Sequence, residues 1–138
     1  MPLSEKSEAL KEGARIEAKR LGHRYVGTEH ILLAVSREPD TKVSEILIEL
    51  DLEPKVLQDQ VDAFVISAGP LQTDEDIPFS PRAQRAFDRA VEEADLLGAP
   101  AAGPEHLLLA LAQDEDVVSA RVLEVFGIDY ASIRRFLV

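Results

Sequence analysis

Apolar residues recur along this chain at helical spacing, in short runs that stop at glycine or proline. The first run holds Leu10, Ala14, Ala18 and Leu21 and closes at Gly22, with Ser4 as N-cap and Glu5 in the first turn. The pattern predicts a helix over residues 5–21 and a second from Thr28 to Arg37, with Ile31, Leu32 and Val35 as its buried stripe. Glu38-Pro39-Asp40 breaks the second helix, because proline cannot continue the hydrogen-bond ladder. A third is expected over 41–50 (Val43, Ile46, Leu47, Leu50), and a fourth opens at Pro54 with Leu57, Val61, Phe64 and Val65.

The pattern then starts again. Ser80 and Pro81 open a helix over 81–97, followed by helices at about 104–113, 117–126 and 129–138. Gly27-Thr28-Glu29-His30-Ile31-Leu32-Leu33-Ala34 returns as Gly103-Pro104-Glu105-His106-Leu107-Leu108-Leu109-Ala110, an offset of 76 residues. Ser4 falls on Ser80, Ala14 on Ala90, Glu17 on Glu93, Leu21-Gly22 on Leu97-Gly98, Leu52 on Ile128 and Leu57 on Ile133, with no gap. A repeat of this kind fixes the architecture before any single residue is interpreted. No segment alternates with the period of a strand. The expectation is an all-α fold of eight helices, two four-helix repeats related by a pseudo-twofold. It is read as one domain over 1–138: repeat one about 3–67, a linker about 68–79 containing Asp74-Glu75-Asp76, and repeat two about 80–138. The opening helices are alanine-rich on their inner faces and bury little area, so each repeat is expected to need the other.

Composition narrows the function classes. The length of 138 residues and the apolar fraction of 46% suit one globular domain with a real core. No apolar run is long enough to span a membrane, and the first residues lack the basic-then-apolar pattern of a secretory signal. Zero cysteines remove disulfides, thiolate metal sites and cysteine catalysis, and suit a reducing compartment. A net charge of -11 argues against nucleic acid, whose phosphates it would repel. It could steer basic or arginine-bearing partners, though an ordinary acidic surface explains it as well.

Leu21-Gly22-His23, Gly27-Thr28-Glu29-His30-Ile31-Leu32-Leu33 and Pro78-Phe79-Ser80-Pro81-Arg82-Ala83 resemble the Clp N-terminal domain, the double repeat at the front of Clp/Hsp100 unfoldases, and most closely its ClpC type. The resemblance covers about residues 3–138. It implies a non-catalytic module that recruits protein substrates or adaptor proteins for an ATPase that feeds the Clp peptidase. The alternative is a free-standing regulator or accessory subunit that docks on the protease or competes for its partners. The chain has no glycine followed by lysine, hence no ATPase phosphate loop, and is expected neither to hydrolyse ATP nor to unfold proteins by itself. A natural stop after Val138 would favour the regulator. No cofactor and no membrane are implied. The expected place is the cytoplasm, or the plastid stroma for a processed plant protein.

Some ClpC-type domains bind phosphorylated arginine through a helix-start serine or threonine and the repeat's glutamate. Carried over, the resemblance implies one site at Ser4 with Glu29 and a second at Ser80 with Glu105. A helix N-terminus offers free N–H groups to phosphate, and a carboxylate takes a guanidinium in a two-pronged bond. The plainer reading makes both serines caps and both glutamates helix-dipole partners. Pro104 at Thr28's position removes a hydroxyl and an N–H, so the second site is expected to be the weaker. His30 and His106 lack the spacing of a zinc motif and are read as structural, bonded to backbone at the helix start; no metal site and no catalytic constellation is readable. Leu3 and Phe79 occupy the positions where related domains form an apolar groove. Exposed, they are partner contacts; buried, they are hydrophobic staples.

Overall fold

The computed structural model describes residues 3–39, 41–73 and 76–138, so Asp40 of the helix break and Asp74-Glu75 of the linker lie outside the described residues. Among them the chain forms eight helices: α1 (Glu5–Arg20), α2 (Thr28–Arg37), α3 (Lys42–Glu49), α4 (Pro54–Phe64), α5 (Pro81–Leu96), α6 (Pro104–Leu111), α7 (Val118–Val125) and α8 (Tyr130–Arg134). The last is shorter than its sequence pattern: Arg135–Leu137 continue as tight turns, with Phe136 and Leu137 still packed against the core. Phe64, expected on the buried stripe of α4, is 42% exposed at the helix's last turn, while Leu57 and Val61 are fully buried.

The two repeats are built alike. Ser4 and Ser80 are N-caps whose Oγ atoms accept from the N–H groups of Ser7 and Ala83, both at 3.1 Å. Gly22 and Gly98 leave α1 and α5 in the left-handed region (φ 77° and 72°), and the next N–H turns back to Ala18 O and Ala94 O, each at 2.9 Å. A side chain at Gly22 would also collide with the carbonyl of Gly69, because the linker runs across the end of α1. Ala68 and Leu71 there donate to Leu21 O (3.0 Å) and Lys19 O (2.7 Å).

The helices that carry the repeated motif, α2 and α6, are apolar nearly all round and form the centre, packed against each other. Each also packs on elements of the other repeat: α2 on α5 and α7, α6 on α1 and α3. One contiguous core therefore draws on both repeats, from Leu10, Ala14 and Ala18 of α1 to Ala90 and Ala94 of α5, with Ile31, Leu32, Leu107 and Leu108 between. The pseudo-twofold is visible in two clasps. Leu3 forms a parallel bridge to Ala102, and Phe79, at 3 + 76, forms one to Val26, at 102 − 76. Ser4 N–H donates to Ala102 O at 2.9 Å, and Ser80 N–H to Val26 O at 2.8 Å. The start of each repeat is thus bound to the middle of the other.

Candidate functional site

The repeated Gly-x-Glu-His stretch is first of all a helix start. Gly27 precedes α2 and Gly103 precedes α6, and neither supplies a capping side chain. The histidine supplies one instead: Gly27 N–H donates to His30 Nδ1 at 2.8 Å and Gly103 N–H to His106 Nδ1 at 2.9 Å. The glutamate folds back over the same glycine, and a Cβ on Gly27 or Gly103 would overlap the carboxylate of Glu29 or Glu105. Glycine is required here for lack of a side chain, since both φ values are negative.

In repeat one this start is sealed. Because His30 Nδ1 accepts, its Nε2 carries the proton and donates to His23 Nδ1 at 2.8 Å; His23 Nε2 then donates to Ile66 O at 2.8 Å. The two rings meet edge to face with centroids 4.9 Å apart. Burial, reinforced by His23 and Arg20, pushes the His30 pKa down to about 3, so the ring is neutral. Glu29 is 7% exposed, and burial raises its pKa against the lowering effects of its own backbone N–H and of His23.

In repeat two the same start is open. Ala99 stands where His23 does, and among the described residues no group meets His106 Nε2. A recess of about 530 Å³ lies there, bordered by Ser4, Glu5, Ala99, Pro104, Glu105 and His106. Glu105 is half-buried and faces it; His106 is 6% exposed.

The pairing of site residues therefore departs from the sequence expectation. Ser4 meets Glu105 of repeat two in one recess, and Ser80 stands beside Val26, three residues before Glu29. The physical reason is the pair of clasps, which carry each repeat's first cap to the other repeat's motif. Glu29 is buried at its own helix end, and Glu105 is half-buried. Ser4 also serves as a cap, its hydroxyl donating to Ser7 Oγ (3.1 Å), which in turn donates to Ala102 O (2.8 Å).

The model of the Clp repeat (R) N-terminal domain matches residues 2–126. The chain belongs to the Clp N-terminal domain family. It is 40% identical over 121 residues to the ATP-dependent Clp protease ATP-binding subunit ClpA homolog of Porphyra purpurea, covering 88% of this chain and 15% of that protein. The same identity and share of this chain hold for the chloroplastic chaperone protein ClpC1 of Arabidopsis thaliana, of which 13% is covered. The chain thus spans about one seventh of the curated relatives it matches. The N-terminal domain of the Clp-protease-associated chaperone ClpD from Arabidopsis thaliana has the same fold, with a TM-score of 0.75, 24% identity, and coverage of 98% of this chain and 94% of that one.

Within the domain, Leu3 and Phe79 are half-buried and rest against the core as well as forming the clasps. The Phe79 ring meets Phe87 edge-on at 5.6 Å, and the Arg15 guanidinium lies 4.8 Å from its centroid. Among the described residues no three metal-ligating side chains cluster, and no helix is long and apolar enough to cross a membrane. Sequence reading missed the interplay of His23 with His30, although the family's Gly-His at 22–23 and its loss at Gly98-Ala99 were there to point to it.

Proposed function

We propose that this domain is a non-catalytic docking module that recruits protein substrates or adaptor proteins to a Clp-type ATPase, in the cytoplasm or a plastid stroma. The observation that carries the reading is the recess between the start of α1 and the start of α6, where a cap serine, a half-buried carboxylate and an unmet imidazole N–H face one space. Its chemistry suits a ligand with an anion and a guanidinium, as in a phosphorylated arginine side chain. Glu105 would take the guanidinium; the His106 Nε2–H would donate to one phosphate oxygen, and the Ser4 hydroxyl would exchange its bond to Ser7 Oγ for one to another. Leu3 and Phe79, at the two clasps, are the proposed apolar contacts of a bound partner. The buried Glu29 and its neighbour Ser80 belong to the weaker, second position.

Calorimetric titration with free phosphoarginine tests this. Glu105→Ala is expected to lower affinity by about 1.5–3 kcal/mol, the range for one charge-assisted hydrogen bond, with the melting temperature nearly unchanged. Glu29→Ala is expected to act mainly on the melting temperature. A wild-type protein with no saturable heat at millimolar ligand would sink the phosphoarginine reading.

A further inference from the structure

A second cavity, of about 240 Å³, lies on another face of repeat two, between α5, α6 and the connector to α7. Its floor is apolar: Ala86, Ala110, Leu111 and Val117 are all buried, and Thr28 of repeat one completes it. Its rim is basic. Arg82, Arg85 and Arg89 stand at i, i+3 and i+7 on one side of α5, a concentration of positive charge in a chain of net charge -11. Arg82 Nη1 donates to the carbonyl of Asp116 at 3.2 Å, and Arg89 pairs at 3.5 Å with the exposed Glu92. Arg85 is exposed and makes no hydrogen bond or ion pair among the described residues. The acid that lines the rim, Asp114, accepts the N–H of Asp116 at 3.0 Å and keeps its negative charge, against the three arginines. Gln113 lines the cavity too, and its amide oxygen is buried behind the wall without a partner.

Duplication does not account for two of the three arginines. The repeat-one counterpart of Arg82 is the basic Lys6, but those of Arg85 and Arg89 are Ala9 and Gly13, so these two arginines are not part of the framework common to both repeats. The geometry points to a binding site for an extended acidic peptide segment of a partner protein. An aliphatic side chain fills the cavity, and flanking carboxylates pair with Arg85 and Arg89. This site is separate from the Ser4/Glu105 recess and stands without it.

The probe is a fluorescein-labelled peptide of alternating leucine and glutamate, followed by fluorescence anisotropy against the whole chain. Saturable binding that weakens with salt is expected. Replacing every glutamate by glutamine, or making Arg85→Glu or Arg89→Glu in the protein, is expected to weaken it about tenfold or more, the scale of one lost charge-assisted pair. Melting curves of the two variants, both altered at the rim and not in the floor, show that the fold is intact. Equal affinity for the glutamine peptide, an Arg85→Glu variant that binds like wild type, or no saturable binding at millimolar protein would overturn the assignment. Glu105→Ala and saturating phosphoarginine are expected to leave the peptide's affinity unchanged; loss of binding in either would place the peptide in the recess and overturn it too. Failure here leaves the phosphoarginine titration, and the reading it tests, untouched.

Discussion

Repeat one and repeat two share a backbone and differ in what they do with it. At the common helix start, repeat one places His23 against His30 and closes the space, whereas repeat two has Ala99 and leaves a recess. At the common buried carboxylate, repeat one satisfies Glu17 with Arg20 (3.1 Å) and Arg37, and repeat two satisfies Glu93 with the hydroxyl of Tyr130 (2.8 Å). Arg37 corresponds to Gln113, whose oxygen is left without a partner at the wall of the second cavity. Repeat one has spent its variable positions on closure, repeat two on openings. Shared residues such as the cap serines and the Gly-Glu-His start build the framework in both copies, and where the copies diverge, at His23 and Ala99, decides whether that start is closed or open.

The largest expected effect concerns what the copies share. Leu32 and Leu108 are equivalent, both essentially fully buried, and Leu32→Ala and Leu108→Ala should each cost about 2–5 kcal/mol. Urea unfolding of the two variants checks this. A near-neutral result at one position would break the equivalence of the halves.

Next comes the sealed helix start. The His30 pKa is held at about 3 against an ordinary 6.5, so the folded protein resists a proton that the unfolded chain accepts. Stability from this group is complete above the ordinary value and falls as pH drops through that window, by up to about 1.4 kcal/mol per pH unit. Denaturant unfolding at pH 7.5 and pH 5.5 should show the loss, and His30→Gln should flatten it. His106→Gln is the matched control for the cap hydrogen bond alone. An unflattened pH dependence in His30→Gln would assign it to other groups.

The smallest effect sharpens the comparison at the turn after the third helix of each repeat. Asp51 has φ 56°, and its counterpart Gly127 has φ 72°. Glycine takes this conformation without a Cβ penalty, and aspartate only tolerates it. Asp51→Gly is expected to raise stability by a few tenths to about 1 kcal/mol, read as a higher melting temperature. A lowered melting temperature would show that the Asp51 side chain contributes more than its backbone costs.

Much of the fold could be read from periodicity and from the offset of 76, because caps, helix stops and apolar stripes are local features and the repeat supplied each of them twice. Helix ends were less legible: α8 stops at Arg134 although Phe136 and Leu137 keep the apolar pattern going, since burial does not require helix. Of the residues at the recess, Ser4 and Glu105 were singled out from the sequence, His106 only as a structural residue, and the pairing of Ser4 with Glu105 was not legible. Ser4 and Glu29 are near in sequence, but what brings a serine to a glutamate is the bridge of Leu3 to Ala102, a contact across 99 residues that no local pattern encodes. The second cavity was not legible, because its walls come from α5, α6 and the connector to α7, which no local pattern places together.

The two clasps carry one more consequence. A contact in which patch A of one unit meets patch B of the other, returned by a twofold as B on A, is the geometry of an isologous homodimer. Here both protomers lie on one chain, joined by a linker that is itself pinned across the end of α1. Association that would otherwise depend on concentration has become intramolecular, with the partner held at an effective concentration set by that short tether. Freed from the need to be identical, the two sides of such an interface can diverge, one closing its helix start and the other leaving it open.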